Sequence, residues 1–225
     1  MEIILVRHGE PAWTPQNRVE NNPDLTERGR RQAEALAQRD WGYVDELWVS
    51  PLTRARQTME PLERALGRSA VVVDWLEEIR PPDDWQGTPA ESFYDLFSEH
   101  NLSPRETLWQ GLAGGESVID FHRRVVGGLQ DTLATHGLAR VDPEDPHLWE
   151  QAATKRILWV AHGGTNAVSI GHLLGVEPTP WEWSRFDSAH TSVAVLRTSR
   201  ISTAYAFGLH AFGDVSHLTP DHVTR

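Results

Sequence analysis

The chain has 225 residues, with 21 Lys plus Arg against 32 Asp plus Glu and a formal net charge of −11. It has no cysteine, which excludes disulfides, thiolate metal sites and a cysteine nucleophile. The acidic balance argues against a general nucleic-acid surface and requires that an anionic substrate be met by a local positive pocket.

A composition of 39% hydrophobic and 24% charged residues describes a globular chain. At this length, folding buries roughly 70% of the unfolded surface. No apolar run approaches the ~20 residues that cross a bilayer. The first apolar run, Ile3–Val6, is too short for a signal peptide. A cytoplasmic protein is expected.

Ile3–Val6 reads as a buried strand ending abruptly at Arg7-His8-Gly9. A helix follows from Thr26, a suitable N-cap, to about Arg39, with Ala33, Leu36 and Ala37 on one apolar face. Glu46–Ser50 is a second strand, and Pro51 at the first helical position opens a helix to about Leu66. Ala70–Asp74 is a third strand. Residues from about 75 to 140 are richer in Pro and Gly and read as a lid inserted over the core, with one long helix at Glu116–Thr135. Asp142–Pro146 is an acidic connector. Ile157–Ala161 is a fourth strand ending at His162-Gly163-Gly164, followed by a helix to Leu174, and Ser192–Leu196 and Thr203–Phe207 close the set as strands. Strands alternating with helices predict a single α/β domain over 1–225. Its expected form is a three-layer αβα sandwich with a largely parallel central sheet and an inserted helical lid.

Two strands end in His-Gly, at His8 and at His162. In an open parallel sheet ligands sit beyond the C-terminal strand ends, so the two histidines are expected to be neighbours. The glycines let the backbone approach a ligand and leave N–H groups free at a helix start, which suits an anion. Arg7 adds a planar fork for phosphate oxygens, and Arg54, one turn into a helix, can point back at the same edge.

Six motifs occur in order: Arg7-His8-Gly9-Glu10; Leu25-Thr26-Glu27-Arg28-Gly29 with Gln32-Ala33; Ser50-Pro51-Leu52-Thr53-Arg54-Ala55-Arg56-Gln57-Thr58; Leu76-Glu77-Glu78; Gly115-Glu116-Ser117; and Ala161-His162-Gly163-Gly164. This set resembles the histidine phosphatase superfamily, the phosphoglycerate mutase-like proteins. The resemblance implies that His8 is the nucleophile taking the phosphoryl group, that Arg7, Arg54 and His162 hold its oxygens, and that Glu78 gives a proton to the leaving oxygen. Fixed cations suit the charge spread over a transferring phosphoryl group. Nothing in the scheme requires a metal or another cofactor.

The chain departs from the family pattern at Pro11 and Thr14, where relatives often carry Ser or Thr and then Asn, and Thr14 still offers a hydroxyl to phosphate. It lacks the usual Gln-Gly pair before Leu25 and has Asn21-Asn22 there. Asp84-Trp85-Gln86-Gly87 keeps part of a longer motif, and His190 stands where many relatives have Asn. Thr14, Gly163 and His190 join the expected phosphate and substrate contacts. Glu116 reads equally as a first-turn helix residue and as a substrate contact. His210, His217 and His222 lack metal-ligand spacing.

The expected activity is phosphomonoester hydrolysis through a phosphohistidine on His8, acting on a phosphorylated small molecule, with no nucleic-acid or membrane partner. The rival readings are a phosphoglycerate mutase-type phosphotransferase and a non-catalytic module binding a phospho-ligand or a protein. A homodimer is left open.

Overall fold

β1 (Glu2–Arg7) buries its four central residues completely. Alternation splits them between two cores: Ile3 and Leu5 face one side of the sheet, Ile4 and Val6 the other. A strand buried on both faces must be covered by helices on both sides, and the computed structural model, which describes residues 1–91, 103–142, 145 and 147–225, supplies them. On one face lie α1 (Glu27–Ala37) and α2 (Thr53–Leu66), contributing Leu36, Met59 and Leu62. On the other lie α3 (Val118–Thr135) and α4 (Gly163–Leu173), contributing Phe121, Val125, Leu129, Leu133 and Ile170. Each such fully buried side chain stabilises the fold by roughly 1.5–3 kcal/mol.

The remaining strands are β2 (Glu46–Val49), β3 (Val71–Val72), β4 (Leu138–Arg140), β5 (Trp149–Gln151), β6 (Arg156–Ala161), β7 (Val193–Ile201) and β8 (Ala204–Asp214). They form one eight-stranded sheet in the order β3-β2-β6-β1-β7-β8-β5-β4. The expectation of a largely parallel sheet is corrected. β3, β2, β6 and β1 run parallel, but the other four pairings, β1/β7, β7/β8, β8/β5 and β5/β4, are antiparallel. For β7/β8 the physical reason is the short connection at Ser202-Thr203, with Ser202 at φ 55. A two-residue loop can join only antiparallel strands, whereas a parallel return needs a crossover of a dozen or more residues. The architecture is therefore α/β with a mixed sheet.

Thr26 caps α1 as expected, its side chain accepting from Gly29 N. α2 starts at Thr53, so Pro51 lies two residues before the helix rather than at its first position, and the helix ends on Gly67 in the left-handed region at φ 61. The third strand shrinks to the exposed pair Val71–Val72 at the sheet edge. Within the region expected to form a lid, residues 118–135 lie against the sheet as α3. The stretch before α3 holds short 3-10 turns at Asp83–Trp85 and Arg105–Gln110. Residues 92–102, and most of the acidic connector, lie outside the described residues. Among the described residues no helix is long and apolar enough to cross a membrane.

Candidate active site

The register of the parallel half builds the site. Val160 of β6 pairs with both Val6 of β1 and Val49 of β2, so His8, Ser50 and His162 leave the sheet at one edge. His8 N donates to Ala161 O at 2.9 Å and Ser50 N to Val160 O at 3.1 Å, holding the three strand ends together. The imidazoles of His8 and His162 come to 5.1 Å between centroids, as expected from the two His-Gly motifs, and His190 joins them at 5.6 Å from His8.

His8 is 3% exposed. Its Nδ1 lies 2.7 Å from the Gly9 carbonyl, an acceptor, which assigns the ring proton to Nδ1 and leaves the lone pair on Nε2. Arg54 Nε donates to that Nε2 at 3.3 Å. His162 Nε2 is 2.7 Å from Ser50 Oγ. His190 Nδ1 is 2.9 Å from Thr224 Oγ1. Arg7 donates from Nη1 to Ser188 O. Beyond these bonds, Arg7 Nε, Arg54 Nη1, His162 Nδ1 and His190 Nε2 are buried with no partner among the described residues. Buried polar groups are almost always paired, so four open positions on the residues gathered beside His8 describe a site suited to an anion.

Burial is the largest cause holding the His8 and His162 pKa values well below 6.5, and Arg54 and Arg7 reinforce it. Burial, with Arg7, also lowers His190 to about 3. Arg54 is pushed down by burial to about 10 and stays cationic at neutral pH. The site thus holds neutral imidazoles and charged guanidiniums.

Glu78 approaches from the loop after the Asp74–Leu76 turn. Its Oε2 accepts from Gly164 N at 2.9 Å and its Oε1 from Ile79 N at 3.0 Å. Burial raises its pKa above 4.5, outweighing the opposing pull of those two N–H groups and of Arg54 and Arg7. Gly164 is required here: a Cβ would sit 2.5 Å from Glu78 Oε1 and 2.4 Å from Trp183 Nε1. Glu77 turns elsewhere and pairs with Arg80 at 2.8 Å.

The other expected contacts divide. Gly163 opens α4 beside Arg7, whose Nε lies 3.7 Å from where a Cβ would be. The Thr14 side chain makes no capping bond to the turn Pro15–Asn17, and its neighbour Trp13 is the residue that stacks, at 4.7 Å, over the Arg54 guanidinium. Several supporting residues stood in the motifs without a role. Thr58 Oγ1 accepts from Gly9 N at 2.9 Å. Gln32 Oε1 accepts from Glu10 N at 2.8 Å, while its Nε2 donates to Thr224 Oγ1 at 2.9 Å. Gly29 packs so tightly on this loop that a Cβ would lie 2.2 Å from Glu10 O. Arg124, Trp183 and Thr224 carried no sequence signal, since their partners are remote along the chain.

An edge of neighbouring histidines and of arginines that keep open donors, beyond parallel strands, defines a phosphoryl-handling class of site. The chain belongs to the histidine phosphatase superfamily (branch 1), whose description matches residues 3–205. It is 32% identical over 143 residues to phosphoserine phosphatase 1 of Hydrogenobacter thermophilus, an alignment spanning 60% of this chain and 66% of that protein. It is 28% identical over 227 residues to the probable phosphoglycerate mutase GpmB of Erwinia tasmaniensis, covering 97% and 95% of the two chains. Among solved structures it resembles phosphoserine phosphatase of Entamoeba histolytica in complex with 3-phosphoglyceric acid, with TM-score 0.67, 23% identity and coverage of 97% and 99%. A mycobacterial glucosyl-3-phosphoglycerate phosphatase bound to VO3 gives TM-score 0.68 at 24% identity, covering 94% and 98%. These two likenesses show the fold.

Proposed function

We propose that this protein hydrolyses phosphomonoesters of small molecules through a phosphohistidine on His8. The observation that carries the reading is the unprotonated His8 Nε2, its ring proton held on Nδ1 by Gly9 O and its lone pair met by Arg54 Nε, beside four buried groups with open hydrogen-bond positions. Nε2 attacks phosphorus and the ester P–O bond breaks. The proton of Glu78 goes to the leaving oxygen, which departs as an alcohol. The resulting carboxylate then takes a proton from water, the water oxygen bonds to phosphorus, the P–N bond breaks and inorganic phosphate leaves.

Arg7 and Arg54 supply the fixed positive charge, and the His162 imidazole supplies an N–H donor. Leu52 N donates to Ser50 Oγ at 3.3 Å, which directs the Ser50 hydrogen to His162 Nε2 and leaves the proton on Nδ1. Gln32 likewise donates to Thr224 Oγ1, and Thr224 seats His190 through Nδ1 and leaves its Nε2 open. Residues 82–89 serve as the cover. Supporting this, residues 18–21 are zipped to 82–89 through Gly87 N to Val19 O at 2.8 Å, Val19 N to Thr88 O at 2.9 Å and Asn21 N to Gln86 Oε1 at 2.9 Å.

The test is a panel of alkyl and aryl phosphomonoesters with EDTA present. Phosphate release is expected, together with a quenched protein-bound label that is acid-labile and base-stable. His8→Ala is expected to lose activity by about 10⁴-fold or more and to lose the label. Transfer to a hydroxy-acid acceptor in place of release would establish the mutase reading. Vanadate binding without turnover of any ester would establish a binding module.

A further inference from the structure

Arg124, on α3, and Glu116, just before that helix, lie behind the site. Their side chains are 18% and 11% exposed and form a forked pair: Arg124 Nε donates to Glu116 Oε1 at 2.8 Å and Nη2 to Oε2 at 2.7 Å. The other three N–H groups of Arg124 reach main-chain carbonyls of one loop. Nη1 donates to Trp75 O at 3.3 Å and to Glu77 O at 3.1 Å, and Nη2 to Glu78 O at 3.2 Å. All five guanidinium donors are therefore used, and none remains for a phosphoryl oxygen. This separates Arg124 from Arg7 and Arg54, each of which keeps an open donor.

Glu116 also ties down the far side of the same loop, accepting from Arg80 N at 3.2 Å on Oε2 and donating its own N to Arg80 O at 2.9 Å. Thr165 Oγ1 adds a bond to Glu77 O at 3.0 Å. The loop is thus gripped by its carbonyls from behind while the Glu78 carboxyl projects forward to Gly164 N. A planar fork can gather three carbonyls and a carboxylate at once, and an ammonium group cannot.

We propose that Arg124, oriented by Glu116, is a positioning residue that holds the Glu78 carboxyl against the leaving oxygen, a role that rests on Glu78 being the proton donor. Arg124 also adds to the positive field that lowers the His162 pKa, but the pair acts on the reaction chiefly through proton delivery. Substrates whose leaving group needs no proton are much less sensitive to it.

The experiment compares an alkyl phosphate with p-nitrophenyl phosphate in wild type, Glu78→Gln, Arg124→Ala, Arg124→Lys and Glu116→Gln. Glu78→Gln should slow the alkyl ester by about 10²–10⁴-fold and the nitrophenyl ester far less. Arg124→Ala should show the same selectivity, with an alkyl-ester loss of about 10²-fold, the scale of an ~1 Å misplacement. Added guanidinium should restore part of that loss, Arg124→Lys should not, and the double variant with Glu78→Gln should be no slower than Glu78→Gln alone. Equal losses on both esters in Arg124→Ala and Glu116→Gln would overturn the proposal. Absence of selectivity in Glu78→Gln itself would overturn the acid assignment and the proposal with it. If Arg124→Ala does not fold, Glu116→Gln decides: a selective alkyl-ester loss supports the role and an equal loss on both esters removes it.

Discussion

The same three parallel strands carry charge at both ends, and the two ends treat it in opposite ways. At their N-terminal ends, Glu2 pairs with Arg156 and Arg197, and Glu46 pairs with Lys155 and His136. Those partners hold Glu46 down to about 2 against its burial, and they lower Glu2 as well. At the C-terminal ends, Arg7 and Arg54 face neutral imidazoles, keep open donors, and are themselves lowered by burial. Charges neutralised by the protein hold a fold in place. Charges left for a ligand weaken the apo protein, since an unpaired buried cation costs free energy that an incoming anion recovers.

That contrast can be broken most sharply at Arg54. Arg54→Ala is expected to lower kcat/KM by about 10²–10³-fold, the usual cost of removing one donor to developing negative charge. It should also abolish the rise in Tm that inorganic phosphate or vanadate gives the wild type. Retention of that rise would place the anion elsewhere.

The pH profile tests the same end more gently. His8 must be neutral to attack, so activity falls as pH drops through its pKa. Glu78 must be protonated to donate, so activity falls as pH rises through its pKa. At the ordinary values of 6.5 and 4.5 only about 1% of molecules would meet both conditions at once, even at the best pH. Burial lowers the first and raises the second, which opens a working window. In kcat/KM the acid limb should lie well below 6.5, and Glu78→Gln should flatten the alkaline limb for alkyl esters. An acid limb near 6.5 would mean that His8 is not desolvated.

The smallest effect is expected at the paired end. Arg197 is 50% exposed in its pair with Glu2. Arg197→Ala should change stability by no more than about 1 kcal/mol and leave kcat unchanged, as exposed ion pairs usually do. A loss of turnover comparable to that of Arg54→Ala would erase the distinction between the two ends.

Much of the active edge was legible because its signals are local. An apolar run that stops at Arg7-His8-Gly9, a second that stops at His162-Gly163, a Thr26 cap and an Arg in the first turn of α2 are each written within a few residues. Strand-end geometry then implies that the histidines meet. The choice between Glu77 and Glu78 was not local. Adjacent carboxylates look alike in local chemistry: the motif resemblance pointed to Glu78, and the packing of Gly164 and Trp183 against it, and of Arg80 against Glu77, gives the physical distinction.

The sequence by itself determined which residues end the buried strands and hence the chemistry gathered there. Tertiary structure decided the antiparallel pairing of β1 with β7, the seat of His190 on Thr224 and the grip of Arg124 on the Glu78 loop. The physical reason is sequence distance. His190 and Thr224 are 34 residues apart, and Arg124 and Glu78 are 46 apart. Periodicity and caps report only neighbours along the chain, whereas these bonds exist only once the sheet and its helices have brought the segments together.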